Sequence, residues 1–87
     1  MSKGIRALRF LTRPACSLCE QAHTALRIPA RVLGVRVESV DVDADAGLSE
    51  RYGSRVPVVA ASDGRVLAEG RISRGDAWRV VWAARKG

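Results

Sequence analysis

Apolar and polar positions alternate in some parts of this chain and recur at helical spacing in others. Residues Ile5 to Thr12 alternate imperfectly between apolar and basic side chains, which favours a strand that Arg13 and Pro14 end. From about Cys16 the apolar positions recur every three or four residues, which predicts a first helix. We expect this helix to end at Pro29 or shortly before it, because a proline ring cannot continue a helix.

The middle of the chain predicts a second strand and a short helix. Gly34 to Asp43 is rich in valine and alternates, and its polarity indicates an edge strand with one face in water. The stretch "DADAGLSERYG" then offers Asp43 or Asp45 as a helix N-cap and Gly53 as a stop.

The last third predicts a hairpin followed by a helix. Val56 to Ala61 carries no charge and indicates a buried strand, and "SDG" is a turn signal before the antiparallel partner "RVLAEG". Ser73 and Asp76 resemble a capping box at the start of the final helix. The side chains expected in the core from this helix are Trp78, Val81 and Trp82. The predicted order is βαβαββα, in one domain over residues 1–87.

Composition narrows the class of protein. The 87 residues include only two cysteines, which is too few for the disulfide framework of a small secreted domain. Arginines interrupt the apolar residues near the start before a signal-peptide core can form, so we expect a cytoplasmic location. No window reaches the roughly 20 apolar residues of a membrane helix, so we expect a soluble protein.

The net charge of +6 raises the possibility of a nucleic-acid partner. The arginines are spread over nearly every predicted element and do not form one block. Because charge alone specifies no partner, a basic domain that binds nucleic acid remains an alternative and not the main hypothesis.

The two cysteines carry the clearest chemistry. Cys16 falls at the predicted start of the first helix, where unpaired N–H groups lower the pKa of a thiol and favour the reactive thiolate. Cys19 lies one turn later, within reach of a mixed disulfide formed on Cys16. This spacing predicts that Cys16 attacks and Cys19 resolves. Arg13 and Arg55 are expected to add positive potential beside the thiolate.

A metal site is the alternative for the same residues. Cys16, Cys19 and His23 form a C-x2-C-x3-H set. Closed zinc sites use four ligands, and the sequence offers no fourth ligand at a recognisable spacing. The metal-binding module therefore stays open as a second hypothesis.

The motif "RPACSLC", the Val56-Pro57 pair before a buried strand and the Asp63-Gly64 turn together resemble the glutaredoxin-like branch of the thioredoxin superfamily. The resemblance covers nearly the whole chain and is especially close to small bacterial glutaredoxin-like proteins with an Arg-Pro-x-Cys-x-Leu-Cys active site. It implies a four-stranded mixed sheet with helices on both faces, and a cis peptide bond before Pro57 that faces the cysteines.

The resemblance also implies an activity, a thiol-disulfide oxidoreductase that supports electron transport without a bound cofactor. Its substrates would be protein or glutathione mixed disulfides, its electron source glutathione or a thioredoxin-reductase-type flavoprotein, and its expected state a monomer. The catalytic residues would be Cys16 and Cys19. The substrate-binding residues would be Arg13, Pro14, Arg55, Val56, Pro57 and Gly70.

The chain departs from glutaredoxins that use glutathione at three places. Those proteins carry Pro-Tyr or Pro-Phe between the cysteines, where this chain has Ser17-Leu18. They carry Thr before the Val-Pro pair, where this chain has Arg55. Of their Gly-Gly pair only Gly70 is present, and the acidic residues that follow it are missing. The electron source therefore stays open.

Overall fold

The computed structural model describes residues 6–86, which form four strands, three α-helices and one short 3-10 helix. The elements in chain order are β1 (Arg6–Thr12), α1 (Ser17–Leu33), β2 (Val35–Asp41), the 3-10 helix (Val42–Ala44), α2 (Ala46–Tyr52), β3 (Val58–Ala61), β4 (Val66–Glu69) and α3 (Arg74–Lys86). The predicted order is confirmed. Ile5, the predicted first residue of β1, lies outside the described residues.

The strands form one mixed sheet in the order β2-β1-β3-β4. β1 runs parallel to β2 and antiparallel to β3, and β3 and β4 form the predicted antiparallel hairpin. β2 is an edge strand, as its polarity predicted. Its alternation changes phase along the strand, because Val37 packs on one face of the sheet and Val40 on the other.

Helices cover both faces of the sheet. The larger core lies between the sheet and the pair α1 and α3, and it includes Leu8, Phe10, Leu26, Val59 and Val81. The smaller core lies on the opposite face, where Leu48 and Tyr52 of α2 pack against Leu11, Val42, Val58 and Ala60. The chain therefore has the predicted α/β architecture. No helix within residues 6–86 is long and apolar enough to cross a membrane.

The prediction that the first helix ends near Pro29 is wrong. α1 continues to Leu33, and Pro29 and Ala30 are buried on the same face as Ala22 and Leu26. The apolar face thus continues past the proline, and packing of the last turn outweighs one missing backbone hydrogen bond. The helix ends at Gly34, which has a left-handed backbone with φ of 70° and donates its N–H to the carbonyl of Ala30.

The predicted core face of the last helix is also wrong in part. Ser73 and Asp76 form the reciprocal hydrogen bonds of a capping box, but Trp78 and Trp82 are 42% and 53% exposed. The buried residues of α3 are Ala77, Val80 and Val81. Ala77 and Val80 satisfy the same helical spacing as the tryptophans, and their small side chains let α3 lie close to the sheet and α1.

Candidate active site

Three strand ends lie side by side along the edge of the sheet at which β1 ends. Leu11, near the carboxyl end of β1, pairs with Val58 at the start of β3, and Val58 pairs with Glu69 at the end of β4. The segments that follow β1, precede β3 and follow β4 therefore leave the sheet side by side. Each of these three segments carries residues that the sequence placed in the site.

The segment after β1 leads to Cys16, the segment before β3 contains Val56 and Pro57, and the segment after β4 begins at Gly70. The Gly70 N–H donates a hydrogen bond of 2.8 Å to the carbonyl of Pro57, which ties two of the segments together. The peptide bond between Val56 and Pro57 is cis, as the resemblance implied. The fold thus brings Cys16, Pro57 and Gly70 to one edge.

Cys16 is the N-cap of α1. Its backbone is extended, and its Sγ accepts a hydrogen bond of 3.2 Å from the N–H of Cys19. This N–H is one of the groups at a helix start that have no partner within the helix, so it stabilises negative charge on the sulfur. The predicted position of Cys16 at the helix N-terminus is confirmed.

Cys16 and Cys19 are joined as a disulfide, with their Cα atoms 5.2 Å apart. Cys16 is half-buried, whereas Cys19 is only 2% exposed and belongs to the larger core. A reagent in solution therefore reaches the sulfur of Cys16 more easily than that of Cys19. This asymmetry fits the predicted roles of attacking and resolving cysteine.

Arg13 connects three parts of the site. Its Nη2 lies 2.7 Å from Oδ1 of Asp43, its Nε lies 3.3 Å from Oδ2 of the same residue, and its Nη1 donates to the carbonyl of Gly53 at 2.6 Å. The hydrogen bond from Arg13 lowers the pKa of Asp43, and the bond raises the pKa of Arg13. Asp43 compensates the charge of Arg13, which holds the loop before Cys16 against the end of α2.

Arg55 is paired in a similar way. Its Nε donates to Oε1 of Glu69 at 2.7 Å, and its guanidinium lies 5.2 Å from the centre of the Tyr52 ring. Arg55 thus joins the segment before β3 to the end of β4. A substrate carboxylate that binds Arg55 has to compete with Glu69.

Val56 and Pro57 differ in what they expose. Pro57 is fully buried and Val56 is half-buried. The Val56 N–H donates to the carbonyl of Tyr52 at 3.1 Å, and its own carbonyl accepts no backbone hydrogen bond from any other described residue. Of the Val56 backbone, the carbonyl is thus the group left to accept a bond from a substrate.

A depression lies beside Cys19. Its lining includes Pro14, Cys19, Glu20 and His23. The ring of His23 lies 5.6 Å from that of Phe10 at an interplanar angle of 45°, so His23 packs on an aromatic ring. Within residues 6–86, no group of three or more His, Cys, Asp or Glu side chains could hold a metal ion. The arrangement gives the metal hypothesis no support.

The partners of the two site arginines could not be predicted from the sequence. Asp43 was considered as a helix cap, yet it binds Arg13 across 30 residues, and Glu69 binds Arg55 across 14. A single sequence carries no signal for such distant pairs. They become visible only when the sheet brings the strand ends together.

Comparison with known proteins agrees with the fold. Residues 7–81 match the glutaredoxin-like domain family (DUF836). No protein among those with curated descriptions matches the chain.

Two solved bacterial structures are similar over most of both chains. A structural-genomics target protein from X. campestris is 36% identical, with a TM-score of 0.72 over 88% of this chain and 97% of its own. Protein Ne2328 from Nitrosomonas europaea is 25% identical, with a TM-score of 0.72 over 92% of this chain and 94% of its own.

A thioredoxin variant from Halobacterium salinarum NRC-1 is similar in fold. It is 23% identical, with a TM-score of 0.67 over 94% of this chain and 76% of its own. At this level of identity the likeness shows the thioredoxin-like fold alone.

Proposed function

This chain belongs to the glutaredoxin-like domain family, and we propose that it is a thiol-disulfide oxidoreductase whose cysteine pair reduces disulfides in other proteins. The observation that carries the proposal is the position of Cys16. Its sulfur is half-buried at the start of α1, accepts the N–H of Cys19 and lies within bonding reach of the Cys19 sulfur. These are the requirements for a thiolate that attacks and a neighbour that resolves.

The reaction has two exchanges. The Cys16 thiolate attacks one sulfur of the substrate disulfide, the substrate S–S bond breaks, and the departing thiolate takes a proton from water. Cys19 then loses its proton to water, and its thiolate attacks the Cys16 sulfur. The bond between Cys16 and the substrate breaks, and the second substrate sulfur leaves as a thiolate that takes up a proton. Two electrons have passed to the substrate, and the protein holds the Cys16–Cys19 disulfide. An external thiol reductant, glutathione or a reductase flavoprotein, returns the pair to the dithiol.

The substrate backbone binds at the edge formed by Val56, Pro57 and Gly70. The carbonyl of Val56 accepts an N–H from an extended substrate segment, so recognition depends on main chain more than on side chains. Arg13 and Pro14 shape the loop before Cys16, and Arg13 acts by holding this loop against α2.

The proposal also includes a role for Arg55, the oligomeric state and the cellular location. Arg55 offers a site for a substrate carboxylate when its bond to Glu69 opens, which exposed ion pairs do at small cost. The protein works as a monomer in the cytoplasm, where thiol reductants keep the pair reduced between turnovers.

Trapping of mixed disulfides tests the proposed roles. The variant Cys19→Ser, reduced and then mixed with a disulfide-linked peptide, should accumulate a covalent adduct at Cys16, because no resolving sulfur remains. The matched variant Cys16→Ser should form none, because its remaining cysteine is buried. Intact-protein mass spectrometry measures both. Equal adduct formation by the two variants would show that the roles are wrong.

A second assay tests the activity itself. The wild-type protein should reduce hydroxyethyl disulfide, a small neutral substrate, whereas Cys16→Ser should not. Circular dichroism checks that the variant keeps its helices. If the wild type reduces neither this disulfide nor a peptide disulfide, the proposed function is wrong.

A further inference from the structure

A groove runs between α1 and α3 on the helical face of the molecule. Its apolar lining includes Ile28, Pro29, Ile72 and Trp78. Ile28 is 65% exposed, and Trp78 is one of only two tryptophans in the chain. Ile72, which is 6% exposed, forms the floor of the groove, and a concave surface with exposed apolar side chains such as Ile28 and Trp78 is a place where a partner can bind. The cysteine chemistry described above makes no use of this groove.

The groove is continuous with the cysteine site. Glu20, the residue after Cys19, lines both the groove and the depression beside Cys19, and so does Thr24. At the end formed by the start of α3, Ile72 follows Gly70 by two residues. A polypeptide held at the cysteine edge can therefore extend directly into the groove.

Arg74 lines this end of the groove and Arg71 precedes Ile72 in the chain, while Glu20 is the one acid in the lining. Arg71 and Arg74 flank Ile72, and both are exposed. Neither forms a salt bridge to any acid in the described part of the chain, whereas Arg55 and Arg79 are each paired with a carboxylate. Their charges are therefore available to a partner.

The net charge of the chain also favours some binding partners of the groove over others. A second copy would bring a net charge of +6 against an equal charge, which opposes self-association. An acidic partner is attracted by the same field. A concave groove that joins a disulfide-exchange site and has both apolar and polar lining residues fits a polypeptide better than it fits a flat lipid surface.

We propose that the groove between α1 and α3 docks an acidic protein segment, the part of the disulfide substrate that lies beside its reacting cysteine. The segment places an apolar side chain between Ile28 and Trp78 and carboxylates against Arg71 and Arg74. Tryptophan and arginine are the residue types that most often dominate binding energy at protein interfaces. This inference rests on the proposed oxidoreductase function and names the class of substrate.

Two disulfide-linked peptides test the proposal. Each peptide has one cysteine, which forms its disulfide, followed by leucine and phenylalanine at the same positions in both peptides. The first peptide also carries glutamates, and the second carries lysines in their place. The measurement is the second-order rate constant for exchange with the reduced protein, divided by the rate constant for hydroxyethyl disulfide. At low salt this ratio should be at least about tenfold higher for the acidic peptide.

Matched variants separate docking from long-range attraction. Trp78→Ser should lower the ratio for the acidic peptide by about tenfold, whereas Trp82→Ser, one turn away and outside the groove, should change it by less than about twofold. Arg74→Gln should lower it by about threefold or more, whereas Arg85→Gln removes the same charge elsewhere on α3 and should have a smaller effect.

Fluorescence identifies the occupant directly. In the variant Trp82→Phe, Trp78 is the only tryptophan, and its emission should shift to the blue when the acidic peptide binds. The same titration is repeated with the lysine peptide, with phosphatidylglycerol vesicles, with random DNA and with increasing protein concentration.

A shift with vesicles, DNA or protein concentration but not with the acidic peptide overturns the proposal. Equal effects of Trp78→Ser and Trp82→Ser on the ratio also overturn it. Failure to reduce both hydroxyethyl disulfide and the peptide disulfides is a different result, because it removes the oxidoreductase function, whereas the fluorescence titration still reports on docking.

Discussion

The packing of α1 against the sheet holds Cys16 in place, and two substitutions on this helix test that packing. Leu26→Ala and Ile28→Ala each delete three carbons, from positions two residues apart. Leu26 is 1% exposed and belongs to the larger core, whereas Ile28 is 65% exposed. The two variants therefore differ mainly in whether the deleted carbons were buried.

The expected cost follows from burial. Three buried carbons at about 0.8 kcal/mol each give roughly 2.4 kcal/mol for Leu26→Ala, and the cavity left behind raises this to about 3 to 4 kcal/mol. Ile28→Ala loses little burial, and alanine has the higher helix propensity by about 0.4 kcal/mol. We expect Ile28→Ala to be neutral or slightly stabilising. Against a total stability of about 5 to 15 kcal/mol, the cost of Leu26→Ala is large.

Urea denaturation of the reduced proteins, followed by circular dichroism, measures the difference. With a slope of roughly 1.5 kcal/mol per molar, the midpoint of Leu26→Ala should fall by about 2 to 2.7 M at unchanged slope. The midpoint of Ile28→Ala should stay within about 0.4 M of wild type. Equal losses in the two variants would refute the assignment of the buried face of α1.

Two further predictions concern the ends of helices. The pKa of Asp76 is lowered, mainly by the hydrogen bond from Arg79 and further by its hydrogen bonds with Ser73. The ionised carboxylate therefore stabilises the fold at pH values above the unfolded pKa near 3.8. This stabilisation is lost as the pH falls through the lower pKa of the folded state. Asp76→Asn should therefore melt below wild type at about pH 7 and together with it at about pH 2; a gap that persists in acid would contradict this. At Gly34 a Cβ meets nothing within 4 Å, so the left-handed backbone alone sets the cost. Gly34→Ala should lose about 1 kcal/mol, or roughly 4 to 8 °C in Tm, and Gly34→Asn clearly less; equal losses would indicate another cause.

The sequence predicted the position of Cys16 and the cis bond before Pro57 better than it predicted the helix faces. Cys16 at the start of α1 and the cis bond before Pro57 were both expected, since local signals and the resemblance placed them. The end of α1 was wrong because the rule about proline is local, whereas the burial of Pro29 depends on the rest of the fold. On α3 two overlapping sets share one helical spacing, and only packing decides that Ala77 is buried while Trp78 is exposed.

The ion pairs of Arg13 and Arg55 could not be predicted from the sequence at all. Their partners, Asp43 and Glu69, lie far away in sequence and meet them only at the sheet edge. The residue types were visible in the sequence, but the geometry that joins them was not. Both arginines were expected to act on the thiolate, and the structure shows each of them bound to a carboxylate.

Alkylation of the reduced protein at about pH 6 tests the central claim most directly. At this pH an ordinary thiol with a pKa of about 8.5 is less than about 1% thiolate. If the start of α1 holds Cys16 as a thiolate, iodoacetamide should modify Cys16 at least about tenfold faster than N-acetylcysteine, and Cys19 much more slowly. Mass spectrometry of the digested protein identifies the site. Modification of Cys16 no faster than N-acetylcysteine, or of Cys19 first, would contradict the account.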